Sequence, residues 1–452
     1  MGAIRVLVNS WSNTLKSRLS TNPMFRYPDL GLICLGVFIM LIGVGAIVPV
    51  RAIYARDLGA TAAELGLMAS SFLLGTFMFQ LPGGWASDKW GRKPLLVFGI
   101  AIAGIVSFAF LLWDNPWYFI VLRFVEGAAG GAIQPASNAY VMDSVPAKER
   151  GAAFGWLGSA FSAGFMLGPA AGGIMVDTMG YASPFIFGGV TSLITAVFLL
   201  KRMHNRKPGD RPIVAEEPSE SASAGAEAPV RKQIPRALFR PALFSTLLLI
   251  AASGIEDGLF IALWTLWLDD LGASTSYIGL TFVTFSLPLM VLMPITGKWA
   301  DKYRLAPIIA IPAALASLVY LTYALTENLL LIALLGLFEG TLVAMRLPAI
   351  SAFIANLSPD NARGRIQGIT STTRTVAGFV SSMVVIMLYE LNHHFPFFML
   401  FGTQLLVSVI GGILIWRIER RSIEANRTAQ VAEVVPVVRL EVAGAGLDTA
   451  AK

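Results

Sequence analysis

Residues 84–93 read Gly-Trp-Ala-Ser-Asp-Lys-Trp-Gly-Arg-Lys, and residues 297–304 read Gly-Lys-Trp-Ala-Asp-Lys-Tyr-Arg. The first glycine and the aspartate of one stretch correspond to those of the other by one constant shift in residue number, the shift from Gly84 to Gly297. The same shift relates further identical residues: Gly59 and Gly272, Gly66 and Gly279, Pro94 and Pro307, Glu126 and Glu339, Pro135 and Pro348, and Arg150 and Arg363. A constant shift over so many positions predicts one structural unit that occurs twice. In a membrane protein, two matched halves usually enclose a binding site between them.

The composition predicts an integral membrane protein. Of the 452 residues, 55% are hydrophobic and only 14% are charged, and the mean hydropathy is +0.67. In soluble proteins about a quarter of the residues are charged, so a soluble globular protein is excluded. The single cysteine, Cys34, excludes an intramolecular disulfide and argues against a cysteine-rich metal site. No cleavable signal pattern precedes the first apolar run, so this run is expected in the mature protein.

Apolar runs predict twelve membrane-spanning helices, since one span needs about 20 apolar residues. The uncharged runs are 31–50, 65–85, 94–113, 151–176, 178–200, 271–297, 305–326 and 395–416, and those broken by charges are 117–142, 242–268, 328–358 and 367–389. The predicted fold is therefore an all-α membrane protein with two pseudo-symmetric six-helix bundles, residues 30–202 and 242–417. A cytoplasmic N-terminal segment (1–29), a flexible cytoplasmic linker (203–241) and a disordered cytoplasmic tail (418–452) complete the chain. The N-terminal segment suits either a helix on the membrane surface or a disordered end.

The net charge of +6 is explained by membrane topology and not by a nucleic-acid partner. Basic residues concentrate in the N-terminal segment, the linker, the tail and alternate connections, which all fall on one side of the membrane. The opposite side is expected to carry little beyond Arg51 and Arg56. Because basic loops stay inside, both termini are predicted to be cytoplasmic in a multi-pass protein of the plasma membrane.

The four helices broken by charges are the fourth, seventh, tenth and eleventh of the series. If each half consists of two groups of three helices, the fourth, seventh and tenth are each the first helix of a group. A charge at mid-helix costs at least about 2.5–3.5 kcal/mol, so it persists mainly when it faces a cavity or a partner. These helices are therefore expected to line a polar interior. Their candidate proton-binding or substrate-binding residues are Arg123, Glu126, Glu256, Asp257, Glu339 and Arg346.

The stretch 84–93 resembles the loop motif of the major facilitator superfamily, which reads Gly, three residues, Asp, two residues, Gly-Arg-Lys. The resemblance implies a cytoplasmic gate in which Asp88 contacts the start of the eleventh predicted helix and Arg92 pairs with Asp143. Glycines in the motif are expected to allow close helix packing and a tight turn. The predicted gate consists of Gly84, Asp88, Gly91, Arg92, Lys93, Asp143 and, in the second half, Asp301. The alternative is that these charges only set topology.

The second copy of this motif is degraded. Arg304 stands where the second glycine would be, and Asn356 replaces the acid that matches Asp143. A weaker or differently arranged contact is therefore expected in the second half.

Two further segments strengthen the resemblance. Arg123-Phe124-Val125-Glu126-Gly127 is similar to the intramembrane arginine motif of the superfamily, with Glu126 in place of the usual glutamine. Arg123 and Glu126 share a helix face, so they can form either a functional acid tuned by arginine or a static buried pair.

The predicted fifth helix matches the Gly-x-x-x-Gly-Pro-x-x-Gly-Gly signature of the drug:proton antiporter branch. The matching positions are Gly164, Gly168, Pro169, Gly172 and Gly173. Small residues allow close helix packing and proline bends a helix. General small-residue packing is the alternative interpretation.

Helical geometry separates the remaining candidates. Glu256 and Asp257 point about 100° apart, so only one is expected to face the cavity. Glu339 and Arg346 are two turns apart and can share a face. Arg374 is expected to be a structural partner.

The resemblance covers about residues 30–416 and implies a secondary transporter that alternates between inward-facing and outward-facing states. Its most direct functional implication is proton-coupled efflux of a small, partly apolar compound by a monomer in the lipid bilayer. A sugar or organic-anion transporter is the nearest alternative, favoured by Arg123 and Arg346. A non-transporting sensor lacks a soluble output domain here, and an enzyme lacks a recognisable nucleophile constellation. No phosphate-binding loop or metal site is visible, so neither ATP nor any other cofactor is expected.

Overall fold

The computed structural model describes residues 26–146, 149–205, 239–357 and 363–447, and within these ranges the chain is helical without strands. The helices are α1 (Pro28–Asp57), α2 (Ala62–Trp90), α3 (Arg92–Ala109), α4 (Pro116–Ser144), α5 (Arg150–Met179), α6 (Ala182–Arg202), α7 (Phe239–Ala262), α8 (Trp264–Asp270), α9 (Thr275–Lys302), α10 (Leu305–Leu325), α11 (Leu329–Leu357), α12 (Arg363–Leu391) and α13 (Phe395–Leu447). In this part of the chain, eleven helices are long and apolar enough to cross a membrane. The charge-bearing α4 is packed among them as a further 29-residue helix.

Matching polar residues begin corresponding helices in the two halves. Thr61 caps α2, where its Oγ1 accepts from the backbone N–H of Glu64 at 3.3 Å and the Glu64 carboxylate accepts from the Thr61 N–H at 2.8 Å. Its counterpart in the second half, Ser274, caps α9 by accepting from the N–H of Tyr277 at 3.2 Å. Such caps satisfy amide groups that have no partner inside the helix. The turns before both caps contain a glycine with positive φ, Gly59 at 90° and Gly272 at 76°.

The helix boundaries differ from the expectation at three places along the chain. The helix α1 continues to Asp57, so Arg51 lies inside a span and not in a loop. The seventh span is divided into α7 and α8 at Leu263. At the C-terminus, α13 continues to Leu447 where a disordered tail was expected. Most of the N-terminal segment, for which a surface helix and a disordered end are both open, and most of the linker (206–238) lie outside the described residues.

The two halves pack against each other chiefly through two helix pairs. In one pair α5 packs against α9, and in the other α2 packs against α12. Small residues bring the backbones together, because a Cβ on Gly279 would lie 2.9 Å from the Cα of Ala170. In the second pair the hydroxyls of Ser70 and Ser382 are 2.8 Å apart. We call the end of the molecule that carries residues 203–205 and 239 the linker face, and the opposite end the far face.

Candidate functional site

The first half contains a buried cluster of two arginines and one glutamate. Glu126 on α4 accepts from Arg51 Nη2 at 3.0 Å and from Arg123 Nη1 at 2.9 Å, one bond on each carboxylate oxygen. The three side chains are at most 10% exposed. The Phe72 ring lies under the Arg123 guanidinium at 4.1 Å, and the Phe110 ring lies 5.4 Å from that of Arg51. Stacking on aromatic faces stabilises a buried cation.

The second half contains a different buried cluster. Glu256 on α7 forms an ion pair with Arg346 on α11, and both side chains are almost fully buried. Gln404 on α13 completes the contact, since its Nε2 donates to Glu256 at 3.1 Å and its Oε1 accepts from Arg346 at 3.4 Å. Three helices therefore hold one ion pair in the core of this bundle.

Glu339 is buried near this pair but has different partners. Its carboxylate accepts from the hydroxyls of Tyr320 at 2.9 Å and Tyr323 at 3.1 Å, both on α10. The residue is 1% exposed, and neither of its described hydrogen bonds comes from a cation. The prediction that Glu339 and Arg346 share a buried side of α11 agrees with their burial, although Arg346 pairs with Glu256.

Asp257 and Glu256 have separate environments, as their different directions on the helix predicted. Asp257 binds Arg374 on α12 through two hydrogen bonds of 2.6 and 3.0 Å, and these side chains are 36% and 44% exposed. Ile255, two residues earlier and so on the opposite side of α7, lines an apolar groove of about 620 Å³ between α7, α12 and α13. Because that groove faces away from Asp257, we assign Asp257 and Arg374 to the side of α7 and α12 that faces the other half.

Several residues of these clusters could not be recognised in the sequence. Arg51 follows an uncharged run and is therefore expected in a loop. In the structure its side chain donates to Glu126, which lies 75 residues later in the sequence. Tyr320 and Tyr323 resemble ordinary apolar wall residues until their hydroxyls are seen on Glu339. Gln404 lies in an otherwise apolar run, and this isolated amide is the signal that could have identified it.

The glycines of α5 pack against α1. A Cβ on Gly164 would lie 2.7 Å from Leu41 Cβ, and one on Gly168 would lie 2.8 Å from the Leu41 carbonyl oxygen. A Cβ on Gly172 would overlap the Ala46 carbonyl oxygen. Gly173 faces the other half, where its Cβ would overlap the Thr275 carbonyl at the start of α9. Pro169 lies within the helix between these contacts.

At the linker face, the motif residues are joined by Arg92. Its Nε donates to Asp143 Oδ2 at 2.9 Å, the contact that the resemblance implied, and its Nη1 donates to Asp88. Asp88 therefore contacts Arg92 and not α12 among the described residues, and the turn before α12 (358–362) lies outside them.

The glycines of this motif differ in role. Gly91 adopts φ 96° and ends α2, as expected for a tight turn. The expected close packing at Gly84 is wrong, because a Cβ there would have nothing within 4 Å. Gly83 makes the close contact instead, with its Cβ 2.8 Å from the Cα of Ala132. The N–H of Lys93 donates to Asn205 at 3.3 Å.

The second-half copy of the motif is arranged differently. The Glu419 carboxylate on α13 accepts from the N–H groups of Leu305 at 2.8 Å and Ala306 at 3.3 Å, at the start of α10. A carboxylate at a helix N-terminus is stabilised by the helix dipole. Asp301 lies near the end of α9, and its side chain is outside the described part of the structure.

The far face is closed by contacts between the halves. Arg56 at the end of α1 forms ion pairs with Asp269 and, at 2.6 Å, with Asp270. Arg56 and Asp269 are separated by 213 positions, the same shift that relates Gly84 to Gly297. A second contact between the halves joins Asp177 at the end of α5, which accepts from the N–H of Ser276 at 2.8 Å, and within the second half Tyr389 donates to Asp270 at 2.6 Å.

A tyrosine beside this contact remains neutral. Burial, followed by a hydrogen bond to Asp57, raises the pKa of Tyr181 to about 12. Tyr181 can therefore donate to Asp57 at physiological pH.

Among the described residues, contacts between the halves are fewer toward the linker face. The cross-half hydrogen bond nearest to that face in this part of the chain runs from Gln80 Nε2 to Ser371 Oγ at 2.9 Å. A Cβ on Gly155 or Gly158, in the part of α5 nearest to the linker face, would have nothing within 4 Å. The interface between the halves is therefore tight at the far face and open toward the linker face. No group of three or more potential metal-ligating His, Cys, Asp or Glu residues occurs in the described ranges.

Comparison with known proteins agrees with this architecture. The sequence profile of the Major Facilitator Superfamily matches residues 33–256 and 246–445. Multidrug resistance protein 2 of Bacillus subtilis (strain 168) is 24% identical over 386 residues, which cover 84% of this chain and 93% of that protein. Quinolone resistance protein NorA of Staphylococcus aureus (strain MRSA252) is 23% identical over 407 residues, covering 85% of this chain and 95% of its own.

A solved structure supports the fold. The bacterial homologue of the human lysosomal transporter Spinster superposes with a TM-score of 0.65 at 15% identity, covering 90% of this chain and 98% of its own. The superfamily profile matches both halves of the chain. The chain is therefore a multi-pass membrane transporter, not an enzyme, and belongs to the major facilitator superfamily.

Proposed function

We propose that this transporter exports small, partly apolar compounds in exchange for protons, with Glu339 as the proton carrier. The observation that carries the proposal is that this buried carboxylate is hydrogen-bonded by two tyrosine hydroxyls, while the nearby Arg346 forms its ion pair with Glu256. Protonation of Glu339 leaves no arginine without its counter-charge. Protonation of Glu256 would strand Arg346 in the membrane core, and an unpaired buried charge is costly.

The tyrosines allow both charge states of Glu339. When the carboxylate is ionised, the hydroxyls of Tyr320 and Tyr323 donate to its two oxygens. Hydrogen bonds to an ionised acceptor are the stronger kind and partly offset the loss of water. When the carboxyl group is protonated, a tyrosine hydroxyl can accept from it, because a phenol is both donor and acceptor. A reversible proton site requires this two-way satisfaction.

The relatives support export of drug-like compounds. Two full-length relatives carry the names multidrug resistance protein and quinolone resistance protein, and the α5 glycine signature agrees with that branch. Aromatic side chains on both sides of the α5–α9 interface offer apolar contact, since the rings of Phe165 and Phe282 are 5.8 Å apart. We therefore favour a partly apolar substrate that binds between the halves.

The asymmetric interface supports alternating access. The Arg56 contacts hold the far face closed, while the Arg92–Asp143 pair orders the linker face around the loop after α2. With both termini cytoplasmic, as the basic loops indicate, this arrangement corresponds to an inward-facing state in the plasma membrane. We propose that Gly84, Asp88, Gly91, Arg92, Lys93, Asp143 and Asp301 form the cytoplasmic gate and that the protein acts as a monomer.

The test is flux in liposomes that contain the purified protein, with an imposed pH gradient and a panel of fluorescent apolar compounds. We expect gradient-driven flux in the unmodified protein and only gradient-independent exchange in Glu339→Gln, which mimics the protonated state. Glu424→Gln is the matched control and should retain coupling, because Glu424 is an exposed acid on the part of α13 that follows the membrane-spanning stretch Phe395–Ser422. Gradient-driven flux that persists in Glu339→Gln would remove the proton role from this residue. If the unmodified protein transports every compound at a rate that does not depend on the pH gradient, proton coupling is excluded altogether.

A further inference from the structure

The buried cluster in the first half carries an excess positive charge. Two guanidinium groups, those of Arg51 and Arg123, share the single carboxylate of Glu126. All three side chains are at most 10% exposed, so the cluster has a net charge of +1 within the membrane-spanning region. A buried charge without a counter-charge is expensive in a medium of low dielectric constant. The cluster therefore lacks one negative charge.

The hydrogen bonds of the cluster are also incomplete. Each guanidinium has five N–H donors, and the contacts to Glu126 use one donor of each arginine. The Nε of Arg51 is buried and has no hydrogen-bond partner among the described residues. The rings of Phe72 and Phe110 lie near the guanidinium groups, but they offer π faces and no oxygen acceptors. The missing group must therefore supply acceptors as well as negative charge.

The corresponding cluster of the second half has no such excess. Arg346 has a full counter-charge in Glu256 and an additional acceptor in Gln404. Glu339 adds a further acid beside this pair. The positive excess is thus a property of the first half alone.

We propose that Arg51 and Arg123 form an anion subsite, and that its ligand is the carboxylate group of an exported compound. A carboxylate matches the planar fork of a guanidinium with two acceptor oxygens and can reach the unpaired Nε of Arg51. One added carboxylate also brings the cluster to neutrality. Phe72, half-buried beside Arg123, offers an apolar wall for the rest of the molecule. This assignment rests on the proposed export function, because it names the substrate class of that transporter.

Equilibrium binding tests the subsite without any pH gradient or flux. The probes are 1-naphthylacetate and its uncharged analogue 1-naphthylacetamide, titrated into the purified full-length protein in sulfate buffer. We expect the acid to bind at least tenfold more tightly than the amide, and Arg51→Gln to abolish that preference. Arg420→Gln is the matched control, since this arginine is exposed on α13 and forms its ion pair with Glu424 of the same helix. Equal affinity for the two probes in the unmodified protein would overturn the proposal.

A second variant has the opposite expected sign. Glu126→Gln removes the internal carboxylate and raises the charge of the cluster to +2, so it should bind 1-naphthylacetate at least fivefold more tightly. A purely structural triad would lose or keep affinity on this change and would not gain it. Unchanged or weaker binding by folded Glu126→Gln therefore contradicts the subsite, even if Arg51→Gln does not fold.

A chloride titration distinguishes the source of the anion. If chloride alone raises the thermal unfolding temperature, loses this effect in Arg51→Gln, and leaves acid and amide equally bound, the ligand is a free ion and the carboxylate assignment is wrong. Failure of proton-driven flux in liposomes would defeat the export proposal while leaving this binding preference intact. The two proposals can therefore fail separately.

Discussion

Replacement of Arg56 by glutamine should shift the transporter away from the state in which its far face is closed. Arg56 holds α1 against the end of α8 through ion pairs with Asp269 and Asp270. The three side chains are 32%, 28% and 31% exposed, so solvent screens both pairs. Ion pairs with this much exposure contribute about 0.2–1 kcal/mol each. Loss of both therefore destabilises the closed far face by about 0.4–2 kcal/mol.

This energy corresponds to a measurable change in populations. Since about 1.4 kcal/mol is a factor of ten in an equilibrium constant, the ratio of far-face-open to far-face-closed molecules should rise roughly 2- to 30-fold. High salt should produce part of the same shift in the unmodified protein and little further shift in Arg56→Gln.

Distances between spin labels in nanodiscs can measure the shift. The label sites are Ala63→Cys at the start of α2 and Glu327→Cys between α10 and α11, two exposed far-face positions in different halves. The native Cys34 is buried in α1 and is replaced by alanine in every sample. We expect a longer-distance population to grow in Arg56→Gln.

A charge exchange provides the control. Arg56→Asp combined with Asp269→Arg should return the distances toward those of the unmodified protein, whereas Arg56→Asp alone should open the far face further. An unchanged distance distribution in Arg56→Gln would refute the closing role of these ion pairs.

Two further predictions concern stability. Gly172→Val should lower the thermal unfolding temperature in detergent, because the new side chain overlaps the Ala46 carbonyl and overpacking costs about 1–3 kcal/mol. The control Gly158→Val should leave that temperature unchanged, because its side chain meets open space. Equal unfolding temperatures for the two variants would contradict the α1–α5 contact. Trp264→Phe should lower the free energy of unfolding by about 1–3 kcal/mol, because it leaves the buried Thr281 hydroxyl without its 3.0 Å donor. Adding Thr281→Val should recover part of that loss in a double-mutant cycle. Additive losses would exclude the hydrogen bond as the cause.

The sequence predicted the helices and the duplication well because both leave local signals. Apolar run length located the spans, and the constant shift between the halves also relates the helix caps Thr61 and Ser274. Exact ends were less predictable. The helix α1 continues past Arg51, whose guanidinium donates to Glu126 on another helix, and no local pattern reveals such a partner.

The candidate site was predictable only in part. Mid-helix charges such as Glu339 are conspicuous in apolar sequence, since each is costly without a partner. Their partners are not conspicuous, because Tyr320 and Tyr323 fit an apolar helix as well as a polar site. Glycine packing was likewise ambiguous: Gly83 and Gly84 are adjacent, and only the direction of each missing side chain distinguishes the close contact from open space.

The position of Arg56 against Asp269 bears on how the two halves diverged. In an assembly of two identical subunits, a residue near the twofold axis faces its own copy, so a charge there meets a like charge. A favourable pair between equivalent positions can exist only when the two copies carry different residues. Separate mutation of the two copies therefore had to precede this ion pair, and reverting either residue to match the other would restore a symmetric repulsion. The pair is an acquired asymmetry that a two-subunit ancestor could not have possessed.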